Sequence, residues 1–173
     1  MKNLILFLMM AGLLVACQDN KPARYSQSGA EIDLVKSLVS DYENGNWESW
    51  KTHYGDTAKI FHNTKDNGLS PDEAMKVMKA NLEGIASYGF LDDEGDMERV
   101  IDDKGRTWVN FWGNWKGVIA ANNKEIVTPV HVTVQIVDSL IVREYGYWDN
   151  APMMQAMMEI EAAAKAAEAE SQE

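Results

Sequence analysis

Residues 106–118 (RTWVNFWGNWKGV), 125–137 (EIVTPVHVTVQIV) and 140–148 (LIVREYGYW) decide the fold of this 173-residue chain. They are rich in β-branched and aromatic residues, which suit a half-buried pleated surface. Their apolar positions recur with a period of two, the mark of strands. The breaks between them are short: Asn122-Asn123 and Asp138-Ser139. Upstream, Asp103-Lys104-Gly105 separates 106–118 from another strand candidate, Met97 to Asp102. Turns this short join antiparallel neighbours, whereas a parallel crossover needs a dozen residues or more. The second half of the chain therefore predicts an antiparallel meander.

Working outward, the pattern turns helical. Ser28-Gly29-Ala30-Glu31 has the capping-box form, and Leu34, Val35, Leu38, Val39 and Tyr42 follow at helical spacing up to Asn44-Gly45. Asn46 is placed to cap a second, short helix with Trp47, Trp50 and Tyr54 on one side. Ala58 to His62 is a short strand candidate, and Lys65 to Leu69 a polar loop. Ser70-Pro71-Asp72-Glu73 combines an N-cap, proline at the first helical position and an acid at the third. Ala74, Val77, Met78, Leu82 and Ile85 form the stripe of that third helix, with Gly84 and Gly89 about its end. Asp149-Asn150-Ala151-Pro152 opens a last helix carrying Met153, Met154, Met157, Met158 and Ile160. Residues 161–173 read as a solvated Ala/Glu tail. Helices segregated from an antiparallel sheet predict an α+β fold. The sheet must curl around the N-terminal helices to bury their stripes, giving a cone-shaped barrel with a pocket, plus a C-terminal helix.

The first 27 residues are of another kind. Lys2 precedes an apolar run from Leu4 to Ala16, too short to span a bilayer but right for a signal peptide. Leu14-Val15-Ala16-Cys17 resembles the bacterial lipobox. The resemblance implies cleavage after residue 16 and lipidation of Cys17, the single cysteine. The expected organisation is a lipoprotein signal peptide over 1–16, a lipidated cysteine and tether over 17–27, one domain over 28–160 and the tail. The expected location is a bacterial membrane, on its extracytoplasmic side. Removing 1–16 takes Lys2 and leaves 15 basic against 27 acidic residues, net −12. That charge argues against nucleic acid as a partner and against electrostatic adhesion to an anionic membrane. Membrane contact is expected through the lipid alone. With Cys17 acylated, no thiol is left for a disulfide or a metal.

Three stretches carry a second resemblance: Gly45-Asn46-Trp47-Glu48 with Tyr54-Gly55-Asp56-Thr57-Ala58, then Ser70-Pro71-Asp72-Glu73-Ala74, then Ile141 to Asp149. Together with the element order over about residues 30–160, they resemble the nuclear transport factor 2-like superfamily, in its SnoaL-like and ketosteroid isomerase-like branch. The resemblance implies the cone fold and leaves the reaction open, because the superfamily holds isomerases, dehydratases, cyclases, hydrolases and non-catalytic binders. It also implies frequent homodimers. The isomerases' aspartate base falls here at His62, their helix-one tyrosine at Leu38, and their second oxyanion acid near His131. Ketosteroid isomerisation needs a carboxylate base and acidic donors, so that activity is not expected.

Three candidates for acid–base chemistry emerge: His62, His131 and Asp149. Imidazoles are suited to proton transfer near neutrality. In the 125–137 stretch, Ile126, Thr128, Val130, Val132, Val134 and Ile136 share one face, and His131, Thr133 and Gln135 the other. Pro129 is placed to bulge the strand. Asp149 is a helix cap or a carboxylate that orients a histidine. Trp108, Asn110 and Trp112 are candidate ligand contacts with Tyr54 and Tyr147, since aromatics mixed with amides suit an apolar ligand with polar handles. No cofactor and no metal site are expected. Asp92-Asp93-Glu94-Gly95-Asp96 lacks EF-hand spacing and reads as a loop. The expected function is binding or processing of a small, largely apolar molecule. An acid–base isomerase, lyase or cyclase and a non-catalytic assembly lipoprotein are the alternatives.

Overall fold

A computed structural model describes residues 23–91 and 96–171. The expected signal peptide, the expected lipid site at Cys17 and most of the acidic loop at 92–96 lie outside the described residues. In chain order the elements are β1 (Tyr25–Ser26), α1 (Ala30–Glu43), α2 (Trp47–Thr52), β2 (Tyr54–His62), α3 (Pro71–Asn81) and β3 (Ile85–Phe90). Then follow β4 (Asp96–Ile101), β5 (Thr107–Ile119), β6 (Glu125–Val137), β7 (Leu140–Trp148) and α4 (Ala151–Glu170).

Seven strands form one curved sheet in the order β1-β4-β5-β6-β7-β2, with β3 beside β5. The sheet curls without closing. The meander β4 to β7 is antiparallel throughout, as its short turns predict. β2 departs from that rule and pairs in parallel with β7, because α3 and the whole meander lie between them in the chain. β3 was not expected. Ile85, read as part of the α3 stripe, pairs with Ile119 instead. Gly84, at φ 80°, ends the helical stretch before it. Residues 24–26 do not behave as a free tether: Tyr25–Ser26 pair with β4 and Arg24 Nε donates to the Ile101 carbonyl at 2.9 Å.

The helix starts divide. Ser70 and Glu73 form the expected capping box, with Ser70 N–H donating to Glu73 Oε2 at 2.8 Å. The box at Ser28 does not form. Gly29 is the N-cap of α1, with no side-chain capping bond, and the Ser28 N–H turns back to Ser26 Oγ. The core lies between the concave sheet face and α1 to α3. It is built on Ile32, Val35, Leu38, Trp50, Ile60, Ala74, Val109, Val134 and Ile141. α4 rests on a separate cluster through Met153, Ala156 and Ile160 against Ile119 and Ile126. It stays helical to Glu170, beyond the predicted tail boundary, with its last turns exposed.

Candidate functional site

The concave face encloses a cavity of about 440 Å³. Its walls come from α1 (Val35, Leu38, Tyr42), α2 (Trp50), β5 (Phe111, Trp115), β6 (Thr128, Val130, Val132) and β7 (Glu144, Trp148), with Met153 and Met154 of α4. Most of this lining is apolar or aromatic.

One inward carboxylate breaks the apolar wall. Glu144 is 4% exposed. Its Oε2 accepts the Tyr54 hydroxyl at 2.5 Å and its Oε1 lies 2.7 Å from His62 Nε2. Register explains the meeting. His62 pairs with Gly146, two residues beyond Glu144 on the same face of β7. Gly146 is needed there because a Cβ would lie 2.9 Å from His62 Cδ2 and 2.8 Å from the Trp148 ring. The Trp148 ring meets the imidazole edge-on at 4.9 Å. Burial first, and then the Glu144 charge, raise the Tyr54 pKa well above that of an ordinary phenol, so Tyr54 stays protonated and donates.

His62 has no second hydrogen-bond partner among the described residues. A carboxylate accepts rather than donates, so Glu144 holds the imidazole proton on Nε2. Nδ1 is then the nitrogen with a free lone pair. The arrangement can take a proton from a bound molecule and return it, with Tyr54 and Glu144 fixing the ring.

Of the residues singled out from sequence, the cavity brings together Tyr54, His62 and Asp149. Asp149 orients no histidine. Its Oδ1 accepts the Ala151 N–H at 2.8 Å, a turn that starts α4. His131, Trp108, Asn110, Trp112 and Tyr147 line no part of the cavity. They lie on the convex face, where Trp112 pairs with His131 and His131 with Tyr147 across β5, β6 and β7. The His131 ring stacks on Trp112 at 5.0 Å, nearly parallel, and its buried Nε2 has no hydrogen-bond partner. Burial lowers the His131 pKa, against an opposing pull from Glu98. The inner residues of β5 are instead Val109, Phe111 and Trp115. Gly113 and Gly117 share their parity. A Cβ at either would lie within 2.6 Å of the Phe111 or Trp115 ring, so the missing side chains make room for those rings on the concave side.

Glu144 was missed for a structural reason. Between Gln135/Arg143 and Ile136/Ile141 the β6–β7 register shifts by one residue. The bulge lets Ile141 and Glu144 both point inward. Strict alternation from Ile141 would have turned Arg143, Tyr145 and Tyr147 inward instead.

No family model matches this sequence and no curated protein matches it. Solved structures do. A candidate polyketide cyclase from Xanthomonas campestris pv. campestris superposes with a TM-score of 0.60 at 12% identity, over 78% of this chain and 99% of its own. PrhC from Penicillium brasilianum superposes at 0.61 with 15% identity, over 82% and 94%. A candidate SnoaL-like polyketide cyclase from Shewanella denitrificans gives 0.59 at 11%, over 76% and 99%. The fold is NTF2-like. At these identities the likeness fixes the path of the chain and leaves the chemistry to the residues. Within this NTF2-like cone Glu144, His62 and Tyr54 form one hydrogen-bonded ionisable array.

Proposed function

We propose that the chain binds and processes a small, largely apolar molecule in its cone, with His62 as the proton-transferring group. The carrying observation is the 2.7 Å contact between His62 Nε2 and Glu144 Oε1 on the wall of a largely apolar 440 Å³ cavity. Such cavities with few polar groups are the usual form of small-molecule sites. That several neighbours of this fold are described as polyketide cyclases is in keeping with a processing site. Cys17 is assigned as a lipid anchor holding the domain at the extracytoplasmic side of a bacterial membrane. The convex sheet face, with Trp112 40% and Tyr147 49% exposed, is assigned to a second copy of the chain.

The test uses a neutral apolar fluorophore, N-phenyl-1-naphthylamine, and a carbon acid with acetyl groups at both ends, 2,6-diacetylnaphthalene. The fluorophore should bind with a blue shift, and Val132→Trp should abolish that binding. The protein should accelerate exchange of the ketone's methyl hydrogens for deuterium, and His62→Gln should lose at least about 100-fold of that rate. Binding without His62-dependent exchange would leave a binder and remove the acid–base role. An absence of both would overturn the reading.

A further inference from the structure

The cavity holds a second phenol, and its hydrogen-bond arithmetic is incomplete. Tyr42 lines the cavity from α1. Its hydroxyl oxygen accepts the indole N–H of Trp115 at 3.0 Å. Indole nitrogen only donates, so in that bond the phenol is the acceptor. Among the described residues no acceptor faces the phenol's own proton. Tyr54 differs, because its proton is already committed to Glu144.

The surroundings hold Tyr42 in place. Its ring sits edge-on to Trp47 at 5.8 Å and to Tyr88 at 5.3 Å. The Tyr88 hydroxyl donates to the Tyr42 carbonyl at 3.2 Å. The hydroxyl is therefore fixed and polarised by the Trp115 N–H, with its hydrogen left over. Burial keeps it protonated, raising its pKa beyond that of an ordinary phenol.

Tyr42 also stands away from the His62 array. Trp115, its partner, is on β5, while His62 and Glu144 are on β2 and β7, with β6 between. At about 4.8 Å per strand, β5 to β2 is about 14 Å along the curved sheet. The cavity thus offers a hydrogen-bond donor toward one side and an imidazole acceptor toward the other.

We infer that Tyr42 is a ligand-binding residue that donates a hydrogen bond to an oxygen acceptor, such as a carbonyl, on an otherwise apolar ligand. This rests on the proposed function and narrows its ligand class: an apolar body with an oxygen acceptor at the Tyr42 side.

The test is a matched pair of probes, 2-acetylnaphthalene and 2-isopropylnaphthalene, alike in shape but differing in the acceptor. Binding is followed by tryptophan fluorescence. Wild type should bind the ketone about fivefold more tightly than the hydrocarbon, the worth of one net hydrogen bond. Tyr42→Phe should remove that preference while still binding the hydrocarbon. Equal binding of both probes to wild type would keep the cavity reading and overturn the Tyr42 inference. A ketone preference that survives in Tyr42→Phe would overturn it too. Failure of both probes to bind wild type would overturn both readings. Infrared spectra of the bound ketone in wild type decide the matter even if the variant does not fold. A carbonyl stretch lowered from its hexane position supports donation, and an unshifted one sinks it.

Discussion

At the scale of single residues, Glu144 is held by two donors in a place that water barely reaches. Glu144→Leu would strand the Tyr54 hydroxyl and the His62 N–H. The expected loss is about 2–3 kcal/mol, because each unsatisfied buried group costs on the order of 1–3 kcal/mol. Glu144→Gln keeps an acceptor oxygen and should lose about 1 kcal/mol. Urea unfolding of both variants checks this, and a neutral result for Leu would show that the array contributes nothing to stability. His131 gives a prediction in pH. Its folded pKa lies below the unfolded value of about 6.5. As pH falls through that value the unfolded chain takes up a proton that the folded chain refuses, so stability held above about pH 6.5 declines toward the lower folded pKa. His131→Gln should flatten this part of the profile. Nuclear magnetic resonance should show His131 titrating below a free histidine, and a normal titration would contradict its burial against Trp112. Tyr54 and His62 were legible as single residues. Glu144 was not, because its partners lie 90 and 82 positions away.

At the scale of elements, the turn between β4 and β5 is tied by one side chain. Asp102 Oδ1 accepts the N–H groups of Lys104 and Arg106, both at 2.9 Å, and Oδ2 accepts Arg106 Nε at 2.6 Å. These bonds, the Arg106 N–H first, hold its carboxyl far below the usual range despite opposing desolvation. Stability from Asp102 is therefore present above the unfolded pKa of about 3.9 and is lost as pH falls through the lower folded value. Asp102→Asn should be less stable than wild type at pH 7, and the gap should shrink below about pH 4. Chemical unfolding at several pH values measures it, and a constant gap would mean that charge is not the cause. In α4 the anchors are Met153, Ala156 and Ile160, while the turns beyond are exposed. Removing residues 163–173 should cost under about 1 kcal/mol. A large fall in melting temperature would reveal packing by the tail. The α3 capping box and the meander were legible because their signals are local. The parallel β2–β7 pairing and β3 were not. Parallel pairing is set by a distant strand, and Ile85 fits a helical stripe as well as a strand edge.

At the scale of the whole molecule, the proposed anchor and the domain should be separable. Cys17→Ser should abolish detergent-phase partitioning and leave the circular dichroism spectrum unchanged. A variant that stays with the membrane would require another anchor. The sequence by itself determined the α+β class, the antiparallel meander, the third helix and its cap, and the acidic balance. Each follows from periodicity, turn chemistry or composition, which act over a few residues. It also contained His62 and Tyr54 without saying what they would meet. Tertiary structure decided which sheet face became the inside. It turned Phe111 and Trp115 inward while Trp112 and His131 went out, because only glycines at 113 and 117 fit under the curled face. The one-residue shift in β7 then reversed the parity of its second half, bringing Glu144 in and sending Tyr147 out. Side-chain direction in a strand has a period of two, so a single bulge inverts every assignment beyond it. That inversion depends on how β6 and β7 pair, and it is the step that assembled Glu144, His62 and Tyr54.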